Sequence, residues 1–161
     1  MKKRSLVFAP IVLFGGLTGI YLYSDARRSK KDMLRAQETA DKYKGLMHLL
    51  DLWLMKKQEG KRLIQYFEKN GIESIAIYGM SYIGERLYNE LRDSHIEIRY
   101  AVDRNVNGIY TELKVFSPKD ELPKVDAVIV TPIFYYDEIR ETLMKKTDSK
   151  IISLNTVLNN I

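Results

Sequence analysis

The chain has 161 residues, 45% hydrophobic and 29% charged, a composition that supports one packed core and excludes wholesale disorder. It has no cysteine and two histidines, His48 and His95, which excludes disulfides, thiolate metal sites and cysteine nucleophiles, and no metal is expected. Of the net charge of +5, residues 1–45 contribute ten Lys/Arg against four Asp/Glu and residues 46–161 sixteen against seventeen. The globular part is nearly neutral, and without a basic stripe or an aromatic RNA-binding motif no nucleic-acid face is expected.

The first element is the run from Leu6 to Tyr23, LVFAPIVLFGGLTGIYLY, eighteen residues without a charge, long enough for a hydrocarbon core of about 30 Å. It predicts one transmembrane helix, so that residues 1–31 form a membrane anchor with basic flanks. Lys2, Lys3 and Arg4 precede it, and Tyr21 and Tyr23 sit where an interfacial aromatic belt would. No A-x-A site follows, which argues against a cleavable signal peptide. Arg27, Arg28, Lys30, Lys31, Arg35, Lys42 and Lys44 come after the run. By the positive-inside rule this gives a single-pass protein of the cell membrane with its C-terminal domain in the cytoplasm.

Residues 32–59 form the second segment, a predicted helix. Met33, Ala36, Ala40, Tyr43, Met47, Leu50 and Leu54 alternate steps of three and four, the spacing of a coiled-coil seam, and a homodimer through 33–54 is one expectation. The other is that Leu46, Leu49, Leu50, Trp53 and Leu54 pack on the globular domain as an amphipathic helix. We read the second half that way and the first half, with its small Ala36 and Ala40, as a stalk.

The third segment, 60–161, alternates short apolar runs with helical ones. After Gly60, Lys61 to Asn70 predicts a short amphipathic helix ended by Gly71. Ser74 onward predicts a first strand in IAIY, a helix from Tyr82 to Arg92, and strands at Ile98–Asp103, Lys114–Phe116 and Val125–Thr131. A helix at Asp137–Lys146 and a last strand at Ile151–Leu154 complete the set. Val125–Thr131 is almost continuously apolar, as a central parallel strand would be. The alternation predicts an α/β fold, a small Rossmann-like three-layer parallel sheet.

The stretch Ile75–Gly84, IAIYGMSYIG, carries the candidate site. In a dinucleotide fingerprint one glycine turns the chain out of the strand, a second lets phosphate approach the backbone, and a third lets helix and strand pack. Gly79 and Gly84 fill the first and third roles, and Ser81 stands at the second, where its side chain either crowds a pyrophosphate or donates to it. Gly79, Met80, Ser81 and Gly84 would hold phosphate through backbone amides at a helix N-terminus. Asp103 would accept ribose hydroxyls, and the loop from Thr131 and Pro132 to Tyr136 would wall the other side. The alternative is a ligand-free domain in which the glycines serve turn and packing and Asp103 bonds the following loop.

No catalytic residue is expected. GMSYIG is one residue too long for a nucleophile elbow, and no histidine follows His95. Tyr110 and Lys114 have the YxxxK spacing of short-chain dehydrogenases, but in a loop entering a strand that spacing spans roughly 13 Å. Asp137 and Glu138 suit a helix start through the macrodipole alone.

The run KKQEGKRLIQYFEKNGIESIAIYGMSYIGERLYNELRDSHIEIRYAVDRN, with VFSPKDELPKVDAVIVTPIFYYDEI and KIISL, resembles the small Rossmann-like domain that recurs in bacterial surface-polysaccharide and capsule gene clusters. The resemblance covers roughly residues 46–161. It implies similarity to the NAD-binding part of nucleotide-sugar epimerases, with NAD(P) or a nucleotide-sugar as ligand and a glycosyltransferase or nucleotide-sugar enzyme as partner. Members usually read IYGMG-x-x-G, from which Ser81 departs, and the sugar-binding half has no counterpart here. The expectation is a membrane-anchored nucleotide or nucleotide-sugar binding accessory module in surface-polysaccharide biosynthesis. Its alternatives are a ligand-free interaction scaffold and an NAD-dependent oxidoreductase or epimerase subunit completed by a partner chain.

Overall fold

The structure, a computed structural model, describes the backbone of residues 8–161 except 110 and the side chains of 25–161 except 110. Among the described residues no helix is long and apolar enough to cross a membrane. The predicted span, 6–23, falls on residues whose side chains lie outside that description, as does Tyr110.

Helix α1 runs from Phe8 to Gln58. Beyond Pro10 it has no proline, and it is rich in Leu and Lys, both good helix formers. It ends on Lys56 and Lys57, cations suited to the C-terminal dipole. The chain divides after Met47. In the part of α1 before that point the described side chains are mostly exposed, Met33 and Tyr43 among them.

His48–Ile161 forms the second compact unit, so it takes in the end of α1. Of the five residues expected to pack there, Leu49 and Trp53 are buried, whereas Leu50 and Leu54 are exposed and Leu46 lies before the division. Helix α2, Ile64–Lys69, follows, with Tyr66 and Phe67 buried. One carboxylate gathers these helices. Glu90 of α3 (Tyr82–Leu91), whose side chain is 8% exposed, accepts from Trp53 Nε1 at 2.9 Å and from the Leu63 amide at 3.2 Å, and pairs with Lys57 Nζ at 3.0 Å.

The sheet has five parallel strands: β1 Ser74–Tyr78, β2 Glu97–Val102, β3 Val115–Phe116, β4 Ala127–Val130 and β5 Lys150–Ser153. Their order is β3-β2-β1-β4-β5, consistent with a Rossmann-like fold. Every residue of β1 and β4 is buried, which is why both read as unbroken apolar runs. From β1 the chain moves to β2 on one side, and from β4 to β5 on the other. Right-handed crossovers in opposite directions put α3 and α4 (Tyr136–Leu143) on opposite faces.

The core follows the strand alternation. Ala76 and Tyr78 of β1, Tyr100 and Val102 of β2 and Val128 and Val130 of β4 share a cluster with Ile139 and Leu143 of α4. Ile75, Ile77 and Ile129 point the other way, the side on which α3 buries Ile83, Leu87 and Leu91. A last helix, α5, Leu154–Asn159, was not expected. It starts directly from β5, where the Ser153 hydroxyl accepts from the Asn155 amide at 3.3 Å. At the opposite end of the sheet, Asp126 Oδ2 accepts from the amides of Glu73 and Ser74 and from the Ser74 hydroxyl, at 3.0, 2.8 and 2.9 Å.

Candidate functional site

The carboxyl ends of β1 and β2 carry the predicted site. Gly79 leaves β1 with φ +91°, a conformation that L side chains rarely adopt, and its amide donates to Val102 O at 2.8 Å. A Cβ at this position would lie 2.8 Å from the Pro132 ring and from the Thr131 hydroxyl. Gly84 serves close packing in the first turn of α3, because a Cβ there would collide with the Gly79 backbone carbonyl. The turn and packing roles assigned to these two glycines therefore have direct geometric causes.

Ser81 is the N-cap of α3 in an extended conformation. It is exposed, and its hydroxyl makes no capping bond. The Ser81 side chain thus satisfies none of the first-turn amides, at a helix start whose dipole favours anions. Glu85 provides a carboxylate in that turn, which suits the dipole but competes with any anion.

Asp103, just past β2, joins the turn to the next loop. Its Oδ2 accepts from the Met80 amide and its Oδ1 from the Asn105 amide, both at 2.9 Å. The alternative expected for it, bonding the following loop, is what Oδ1 does. A carboxylate has about four acceptor sites, so two remain after these bonds, enough for a pair of vicinal hydroxyls. Beneath, on the α4 face, burial raises the Tyr78 phenol, partly offset by the Arg104 guanidinium.

A cleft of about 370 Å³ opens above these residues. Met80, Ser81, Tyr82 and Glu85 line it from the start of α3, and Asp103, Asn105, Gly108 and Ile109 from the β2–β3 connection. Met80, Ser81 and Asp103 line one cleft, with Gly79 and Gly84 shaping the turn behind them, but the Gly79 and Met80 amides expected to hold phosphate are already bonded to Val102 O and Asp103 Oδ2. Thr131 and Pro132 are not among the lining residues. Thr131 is buried, and its hydroxyl donates to Gly79 O at 2.7 Å, with Tyr78 O at 3.2 Å. Tyr136 is turned inward onto Ile151 O at 2.9 Å, whereas Phe134 and Tyr135 are exposed.

Tyr82, 79% exposed, and the loop residues Asn105, Gly108 and Ile109 were not singled out in the sequence. For Tyr82 a signal existed, since it follows Ser81 in the fingerprint turn. A second hollow, of about 390 Å³, lies between the end of α1 and α3, walled by Leu50, Trp53, Leu54 and Arg86. It is mainly apolar and away from the strand ends where ligands of open α/β sheets bind. Among the described residues no group of three His, Asp or Glu could hold a metal ion.

Residues 71–152 match the family described as C2185-like, N-terminal. The matched span runs from before β1 into β5 and contains every residue of the cleft. No curated protein and no solved structure matches the chain. The chain belongs to the C2185-like N-terminal family.

Proposed function

We propose that this member of the C2185-like N-terminal family is a nucleotide or nucleotide-sugar binding accessory module, tethered to the bacterial membrane through 6–23 with its C-terminal domain in the cytoplasm. It serves surface-polysaccharide assembly beside a glycosyltransferase or nucleotide-sugar enzyme. The tether is supported by the uncharged run and its basic flanks. The pathway and the partner rest on the resemblance of residues 46–161 to domains from such gene clusters.

One observation carries the binding reading. The Asp103 carboxylate stands in a cleft beside the first-turn amides of α3 with acceptor capacity still available. Phosphate would lie on the amides of the Ser81–Gly84 turn and ribose hydroxyls on Asp103. The module binds and localises its ligand rather than making a bond.

A second reading, an interaction scaffold, is favoured by the exposure of Met33, Tyr43 and Met47 at 63%, 66% and 69% along the 33–54 helix. Calorimetric titration of the full chain in detergent with NAD, NADP, ADP, UDP and UDP-sugars separates the two. Binding that disappears in Asp103→Ala, with the variant still folded, supports the module. A folded protein that takes none of these ligands leaves the scaffold.

A further inference from the structure

We infer that the cleft is built for one nucleoside and its phosphates, and that contacts end at the phosphates, so that a second nucleoside or an attached sugar adds nothing. This rests on the nucleotide-binding reading above and narrows its ligand class. In an open α/β sheet a dinucleotide lies across the crevice where the strand order reverses, with one nucleotide to each side. Here that reversal falls between β1 and β4.

Three features confine a ligand to the β2 side of the reversal. The cleft is lined entirely by the start of α3 and the β2–β3 connection, with no residue from β4 or the loop after it. Its volume of about 370 Å³ is near the lower end of the roughly 300–1,000 Å³ spanned by small-molecule sites.

Second, the chain after β4 packs directly against the turn at Gly79. The Thr131 hydroxyl is bonded to Gly79 O at 2.7 Å, and the Pro132 ring sits 2.8 Å from where a Cβ on Gly79 would be. Third, a pyrophosphate passing from one side to the other uses the second glycine of the fingerprint for its approach to the backbone. Ser81 holds that place, exposed and without a capping bond.

The test titrates the full chain in detergent with two matched pairs, ADP against NAD and UDP against UDP-glucose, by calorimetry. The expected result is that at least one diphosphate binds and that its larger partner binds no more than about fivefold more tightly, a difference under about 1 kcal/mol. A larger gain for NAD or UDP-glucose overturns the one-nucleotide site while leaving the binding reading standing. If none of the four binds to folded protein, the binding reading fails and this inference falls with it.

Discussion

The Asp103 carboxylate and the Met80 amide, 23 residues apart in sequence, meet at 2.9 Å across the cleft. With Asn105 on its other oxygen, Asp103 fixes the turn after β1 to the loop after β2. In Asp103→Asn, the carboxamide oxygen can serve one of the two amides, and its NH2 then faces the other. The loss should be about 1–2 kcal/mol of stability, read by urea unfolding. Nucleotide affinity should fall at least about tenfold by calorimetry, since an acceptor for ribose is lost as well.

Glu90 is the buried acceptor for Trp53, Leu63 and Lys57. Glu90→Ala strands the Trp53 indole and Leu63 amide donors and should destabilise by about 2–4 kcal/mol. The chain has a single tryptophan, so its fluorescence reports this site alone. The variant should shift the emission of the native protein as well as lower the denaturation midpoint. An unchanged spectrum and midpoint would show that the end of α1 is held without this carboxylate.

Gly84→Ala places a methyl group against the Gly79 backbone carbonyl, which no side-chain rotation relieves. The cost should be about 1–3 kcal/mol, visible as a lower Tm. Ser81→Ala changes an exposed side chain with no capping bond and should leave Tm within about 2 °C. Equal losses in the two variants would contradict the packing described for α3.

Asp126 sets an acid-side dependence. The Ser74 amide first, then the Ser74 hydroxyl and the Glu73 amide, hold its carboxyl below the usual 3.8. Because the folded pKa is depressed, the stabilisation is complete above that unfolded value and disappears as pH falls through the lower folded one. Urea midpoints measured from pH 6 downward should therefore drop less steeply below about pH 4 in Asp126→Asn than in the parent protein. Parallel curves would remove Asp126 from the acid response.

Local signals carried the elements that pack alone into the sheet. IAIY and the run around Val128 read as buried strands because both faces are covered. Ile83, Leu87 and Leu91 marked the buried face of α3 by their spacing. Gly79, Gly84 and Asp103 were legible because their roles follow from backbone conformation, close approach and strand-end position. Thr131 and Pro132 were legible as neighbours of the site but not as its filling, since that depends on the approach of β4 to β1. Glu90 gave no signal, because its partners Trp53 and Leu63 lie 37 and 27 residues away. Helix α5, six residues beginning directly at the end of β5, is too short for its periodicity to stand out.

The two residues of β3 have a further effect on how the protein can associate. Among the described residues that edge of the sheet presents only Val115 and Phe116, between Lys114 and Pro118, and the other edge is a four-residue strand that begins at Lys150. Short margins bounded by lysine and proline offer poor templates for strand addition. Strand addition at either margin of the sheet, the first step of edge-to-edge polymerisation, is therefore disfavoured.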